Sequence, residues 1–493
     1  MNRSRTLSLF EASLILLALT IVVHGPFIPW KGLYMDDWYF IRLWESAPNQ
    51  TLPALMKAFN VNNFCWYRPL DIPYFTIQYW LFGRAYWMYQ VLQLIFSVGS
   101  IVFLHAAWRR ASGDAALAFL TAIIFAVYPN HASTYHWLSA PFAAVAILFS
   151  GALLLQLEAV KSGRWVHALS AAFLFAAAIL TYEAVLPLAV LIPALCAMRL
   201  RRDGRTTKKA WLIAFCAAIP LILAAVAAVL YQQVLIPRLF PTGQTRPVSF
   251  NFVRLLQVYG RSFECSTSGV IALAADSGRR AVEAGLWLLL PALAAAVAGG
   301  YWLWRRSGIE TPEAGNGGGQ EWLIGGVAAW VASYAPVAVS AQGYMPHIFD
   351  EQNRLNAAGT VGGSMLAASA LMFLARTRRK TAAALFALFF TLSAGVDWVA
   401  GWDWMRSWLL QTHVLTEIAR QAPAGPADIA LSGVPETIGR AAVFHADWEF
   451  ETALQVWTRR PDLSGRLRPG AQPAGKPAFI YQYPQSVVTP TPK

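Results

Sequence analysis

The stretch GLYMDDWYF, residues 32–40, sets two adjacent carboxylates, Asp36 and Asp37, between an apolar run and three aromatic side chains. The run before it, residues 8–26, is long enough to cross a bilayer, which takes roughly 20 residues. The acidic pair therefore sits where the chain leaves a membrane. Composition extends that reading. Of 493 residues, 57% are hydrophobic and 13% charged, against about 25% charged in an ordinary soluble domain. These values exclude a large soluble enzyme and predict an all-α polytopic membrane protein.

About eleven apolar segments recur at spanning length: residues 8–26, 86–107, 113–129, 138–157, 165–181, 184–199, 210–236, 284–304, 322–341, 357–375 and 381–399. Arg3 and Arg5 precede the first, and the bulky HGPFIPWKG follows it, so it reads as an uncleaved anchor rather than a signal peptide. Alternate connections are short and basic: WRRASGD, KSGRW, RLRRDGRTTKK, WRRSGIE and ARTRRK. Lys and Arg concentrate in cytoplasmic loops, so these connections and the N-terminus are assigned to the cytoplasm, and an odd number of spans sends the C-terminus outside. The net charge of +13 then reports topology. It does not point to a nucleic-acid partner, because the basic residues are split among short loops without aromatic interleaving.

The outer side receives the 27–85 loop, the turns YPNHASTYHW and TYEAV, the 237–283 connection, the turn GYMPHIFDEQNRLN and everything after about residue 400. The chain is thus divided into a membrane domain, 1–400, and a small outer C-terminal region, 401–493. In the latter, ADIALSGVP, AAVFHADWEF and KPAFIYQYP are β-like runs broken by Pro and Gly, which predicts a small mixed α/β appendage followed by a flexible tail.

Within the first outer loop, Phe40, Leu43, Trp44 and Ala47, and then Leu52, Leu55, Met56 and Phe59, fall at helical spacing. Two short amphipathic interfacial helices are predicted, the first starting at the acidic pair. One Asp there can cap the helix and the other can meet its positive end. Alternatively, a carboxylate crowded by a neighbouring charge and by aromatic surface gains proton affinity and can act as a general base. Four more outer segments carry titratable groups: Arg68 and Asp71 in YRPLD, His131 and His136 in YPNHASTYHW, Glu183 in TYE, and Asp350, Glu351 and Arg354 in FDEQNRLN. Ionisable groups near membrane depth mark substrate or ion paths.

An acidic pair after the first span, interfacial helices, then YRPL, YPNHASTYHW, TYEAVLPL and a late outer QNRLN resemble the GT-C class of integral-membrane glycosyltransferases. Within it, the pattern is similar to the polyprenyl-phosphate-sugar-dependent enzymes, such as protein O-mannosyltransferases and aminoarabinose transferases. The resemblance implies a hexosyl or pentosyl transferase of the cell envelope, in a bacterial inner membrane. Its donor is a polyprenyl-phosphate sugar, and its acceptor is a glycan, lipid or protein on the periplasmic face. It also implies Asp36 or Asp37 as base, Arg354 on the lipid phosphate, and Glu183, His131, Arg68, Tyr34, Asp350 and Glu351 around the substrates.

The chemistry requires the same minimum. Displacing a phosphate from an anomeric carbon needs a base for the nucleophile and positive charge for the leaving group, and Arg can grip phosphate with two parallel hydrogen bonds. A direct displacement inverts the anomeric centre. No Gly-rich nucleotide loop is present, so no nucleotide is expected. A divalent cation is left open, because a second acidic partner is not identifiable.

Each residue also has a simpler role. Arg354 can pair with Asp350 or Glu351, Glu183 can cap a helix, Arg68 can snorkel, and His131 and His136 lack the i, i+4 spacing of a zinc pair. Cys65 and Cys265 fall on one side, where a bridge is permitted. EAGNGGGQ reads as a cytoplasmic linker. A lipid-linked glycan ligase or flippase, or a secondary transporter, is the alternative function, although no internal repeat of the transporter kind is visible.

Overall fold

The computed structural model describes residues 7–60, 65–240, 248–283, 285, 289–306, 318–340, 343–349, 351–467 and 478–483. Helix α1 (Leu9–His24) starts from a capping box, Ser8 and Glu11 bonding reciprocally. The 27–85 loop then folds into α2 (Asp36–Glu45), α3 (Leu52–Phe59) and α4 (Asp71–Phe82). The two short helices predicted there exist, and α2 begins at the acidic pair.

The following helices are α5 (Tyr86–Ser112), α6 (Ala115–Val127), α7 (Phe142–Ser162), α8 (Trp165–Thr181), α9 (Leu191–Arg202), α10 (Thr207–Leu230) and its short continuation α11 (Ile236–Leu239). The 237–283 connection contains α12 (Phe252–Ser266) and α13 (Ser268–Glu283), and α14 (Leu289–Arg306), α15 (Gly318–Val339), α16 (Ala357–Thr377) and α17 (Arg379–Gln421) complete the bundle. All eleven predicted apolar segments thus fall on helices. Among the described residues, eight are long and apolar enough to cross a membrane, or nine counting one bent pair.

Proline accounts for the two segments that depart from a plain span. At Pro129 the chain turns by 68° from α6 into the 3-10 segment Pro129–Tyr135, because the residue before a proline is pushed to extended geometry. The 184–199 segment opens as a 3-10 helix, Glu183–Val190, with Pro187 inside it, where the missing N–H prevents α-helical bonding.

Helix α17 runs 43 residues without a break past residue 400, about 64 Å at 1.5 Å per residue. It carries the chain from the bundle into the C-terminal appendage. There β1 (Asp428–Ser432) is flanked by β4 (Ser464–Arg466) and β5 (Ala478–Gln482) in a three-stranded parallel sheet, with Ile429 opposite both Gly465 and Phe479. A two-residue hairpin joins β2 (Thr437–Ile438) to β3 (Ala441–Ala442). The run AAVFHADWEF is β only at its start. From Asp447 it becomes helix α18 (Asp447–Thr458), with Asp447 and Glu449 in the first turn, where acidic groups meet the positive helix end.

Among the described residues, two large apolar cores are accompanied by three small ones. The larger of the two lies among the bundle helices. The other joins Trp38, Trp44 and Phe59 of the first loop to Leu410 and Val414 of α17 and to Ile429, Phe450 and Leu454 of the appendage. Burying one such side chain contributes roughly 2 kcal/mol, so the appendage and the first loop are one packed unit. A glycine secures its join to α13: Gly439 has φ +57°, and a Cβ there would collide with Arg280 and Asp403, which form an ion pair.

Candidate functional site

Met35 holds φ +53° and ψ −121°, a region that side-chain-bearing residues avoid and keep only when surrounding contacts enforce it. The contacts are present on both sides. Asp37, 3% exposed, takes the Tyr34 amide on Oδ2 at 3.1 Å, and on Oδ1 the Ser139 hydroxyl at 2.6 Å and the Ser139 amide at 3.2 Å. Glu449, fully buried, accepts the Met35 amide on Oε1 at 2.9 Å and the His445 amide on Oε2 at 2.7 Å.

Burial pushes the Asp37 carboxyl up to about 7 against the pull of those hydrogen bonds, with the Asp36 charge adding to the rise. Burial likewise pushes Glu449 up to about 8, again with a contribution from Asp36. Two of the three carboxylates are therefore spent on shaping the turn. The third, Asp36, faces a cavity of about 760 Å³.

That cavity gathers groups from distant parts of the chain. Helix α2 contributes Met35's neighbour Asp36, Tyr39 and Arg42, the first loop adds Arg68 and Asp71, and the later outer turns add Trp137, Ser139, Tyr182 and Arg354. Helix α18 closes one wall with Asp447, Trp448 and Glu451. Contacts among the wall residues and their neighbours hold these segments together. Arg354 stacks its guanidinium 4.3 Å from the centre of the Trp137 ring, Ser139 binds Asp37, and Met35 binds Glu449. Asp36, Arg354 and the α18 residues thus line one cavity.

The two cavity arginines predicted from sequence differ in charge balance. Arg68 is bidentate to Glu183, Nε–Oε2 2.6 Å and Nη2–Oε1 2.7 Å, and lies 4.6 Å from the Tyr182 ring centre. Glu183 raises the affinity of Arg68 for its proton further, against the opposing effect of burial. Among the described side chains no carboxylate pairs with Arg354. Asp350, and the side chain of Glu351, lie outside the described residues.

Asp36, Arg68, Asp71 and Arg354 line this one cavity. Among the described residues, Tyr34, Glu183 and His131 do not line it. Tyr34 is buried, its hydroxyl donating to the Trp404 carbonyl at 2.7 Å, and Glu183 meets the site through Arg68. His131 is buried beside Asn130, Nδ1 to Oδ1 3.3 Å, and does not line the cavity. His136 meets Lys31 instead, Nδ1 to Nζ 3.1 Å, and burial brings the lysine down to about 7. Cys65 and Cys265 are free thiols. Among the described residues, no three His, Cys, Asp or Glu side chains converge as a metal site.

Sequence reasoning missed Arg42, Ser139, Trp448 and Glu449. Arg42 had a signal, since Asp36, Tyr39 and Arg42 recur at i, i+3 and i+6 along one broad helix face. Glu449 had none, because its role depends on a contact across most of the chain.

No family model and no curated protein sequence matches the chain. Among solved structures, it is similar to the crystal structure of ArnT from Cupriavidus metallidurans bound to undecaprenyl phosphate, with 16% identity over 91% of this chain and 84% of that one and a TM-score of 0.39. A likeness this distant decides neither fold nor chemistry, and both are read here from the residues themselves.

Proposed function

We propose that this chain is a membrane glycosyltransferase of the GT-C type. It moves one sugar, a hexosyl or pentosyl group, from a polyprenyl-phosphate donor to an acceptor on the periplasmic side of a bacterial inner membrane. The observation that carries the reading is one cavity lined by both Asp36 and Arg354, the base and the phosphate contact that the reaction needs.

The Asp36 carboxylate takes the proton of the acceptor hydroxyl or amine. The freed lone pair attacks the anomeric carbon, and the bond from that carbon to the phosphate oxygen breaks. Its electron pair leaves on the polyprenyl phosphate, where Arg354 meets the new negative charge in a partly dehydrated site that strengthens the attraction. In a direct displacement nucleophile and leaving group occupy opposite faces of the reacting carbon, so the product is inverted. Arg68, already neutralised by Glu183, shapes the wall, while Arg354 meets the phosphate and Arg42 adds a second positive group to the same cavity.

The test uses purified protein, membranes metabolically labelled in their polyprenyl-phosphate sugars, and an envelope extract as acceptor source. Label transferred to an envelope component, with the anomeric configuration opposite to that of the donor, is the expected result. Retained configuration, or release of label only when the membranes are energised, would remove the proposal in favour of a two-step enzyme or a transporter.

A further inference from the structure

At the end of the bundle opposite the Asp36 cavity, the termini of α5, α7 and α9 enclose a second cavity of about 640 Å³. Its charged lining is Arg109, Arg110, Lys161 and Arg199, with one carboxylate, Asp203. Its walls are apolar, built from side chains such as Leu9, Ala106, Leu157 and Val160. Leu9, at the start of α1, lines the cavity and is 45% exposed, an apolar edge on a helix long enough to cross a membrane.

Helix termini explain part of this charge. Each C-terminal end presents roughly half a negative charge, which a cation in the last turn offsets. Arg199 satisfies that role, reaching Asp203 at 3.1 Å and the Arg110 carbonyl at 3.4 Å. Arg110 pairs with Glu158. Arg109 and Lys161 are left over: among the described residues neither has a carboxylate partner, although both line the cavity. Gly113, which ends α5 at φ +62°, keeps the mouth open, because a Cβ there would stand 3.0 Å from Arg199 Nη1.

Two unneutralised cations above apolar walls at a membrane-facing notch match an amphiphile with an anionic head. We infer that this cavity is a binding site for an anionic phospholipid, its phosphate held by Arg109 and Lys161 and its glycerol and upper acyl chain lying on Leu9, Leu157 and Val160. A free phosphate would use the cations and leave the apolar walls exposed. Basic pockets between spanning helices on the cytoplasmic side are suited to such head groups, and that is the side to which the basic connections assign this end.

The site is tested by thermal unfolding of the full chain in a neutral detergent, with added phosphatidylglycerol, phosphatidylcholine or inorganic phosphate. Ligand that binds only the folded state raises the midpoint. Phosphatidylglycerol is expected to raise it by about 2 °C or more, whereas phosphatidylcholine and millimolar phosphate leave it unchanged. Arg109→Gln/Lys161→Gln abolishes the shift. Arg164→Gln/Lys208→Gln, which removes two exposed cations outside the cavity, retains it. Lys161→Ala alone, an exposed substitution, covers the case in which the double variant does not fold, and is expected to weaken the shift at least about threefold in lipid concentration. An equal shift in both double variants would reduce the effect to general surface charge and overturn the site. So would a shift produced by phosphate alone.

Discussion

The Met35 amide donates to Glu449 Oε1 at 2.9 Å, so a residue of the C-terminal appendage holds the strained turn from which Asp36 emerges. The turn keeps its left-handed geometry because Glu449 and Asp37 grip it from opposite sides. Glu449→Gln retains the shape but replaces one acceptor oxygen by a donor facing a backbone N–H. Transfer is expected to fall about tenfold, and about 100-fold for Glu449→Ala, because small misplacements of a reacting group are costly. Binding of the donor, measured separately, should change little. A Glu449→Ala protein that folds and transfers normally would sever the appendage from the site.

The grip is also sensitive to pH, and its two effects have opposite sign. Asp37 and Glu449 are both raised from their ordinary values, to about 7 and about 8. Between about pH 4 and 8 the folded chain therefore binds protons that the unfolded chain has released, and stability falls as pH rises through that window. The ionised carboxylates accept both backbone amides, so activity should rise over pH 6–8. Paired unfolding and transfer profiles across pH 5–9 should show the two curves moving in opposite directions. Parallel curves would contradict this account.

Arg68 and Arg354 should behave differently although both line the cavity. Removing Arg68 leaves the Glu183 carboxylate, 17% exposed, without its bidentate partner, and the cost of breaking such a pair is about 3 kcal/mol. Arg68→Ala is expected to destabilise, with Arg68→Ala/Glu183→Ala recovering part of the loss. Arg354→Ala should leave the unfolding midpoint near that of the parent and reduce transfer about 100-fold. Arg354→Lys should recover only part of it, since one ammonium cannot reproduce a two-pronged contact. Unfolding midpoints and initial rates on the four variants check both statements.

What could be read from the sequence was whatever local pattern determines. Apolar run length located the bundle helices, and amphipathic spacing located α2 and α3, because one turn of helix or one bilayer thickness is a property of neighbouring residues. That Asp36 and Arg354 line one cavity was legible for the same reason: each is a charge placed where the chain leaves an apolar segment. The assignments that failed needed tertiary knowledge. Asp37 and Asp36 are adjacent, yet one helical step of 100° turns the first into the protein and leaves the second facing the cavity. His131 looks equivalent to a site histidine until Asn130 and Thr360 surround it. AAVFHADWEF has strand composition, but its Asp447 and Glu449 favour a helix start once the parallel sheet supplies a surface for α18. Glu449 itself carried no signal at all, being one acidic residue in a short helix.

The most direct measurement is sugar transfer by Asp36→Asn beside Asp37→Asn, each checked for fold by gel filtration in detergent and by thermal unfolding. Asp36→Asn is expected to keep the parent's midpoint and lose transfer about 100-fold or more, as removal of a general base does. Asp37→Asn is expected to lower the midpoint, because the amide sets a donor against the Ser139 or Tyr34 N–H. Transfer by Asp36→Asn at the parent's rate would contradict the central claim and reduce the acidic pair to the start of a helix.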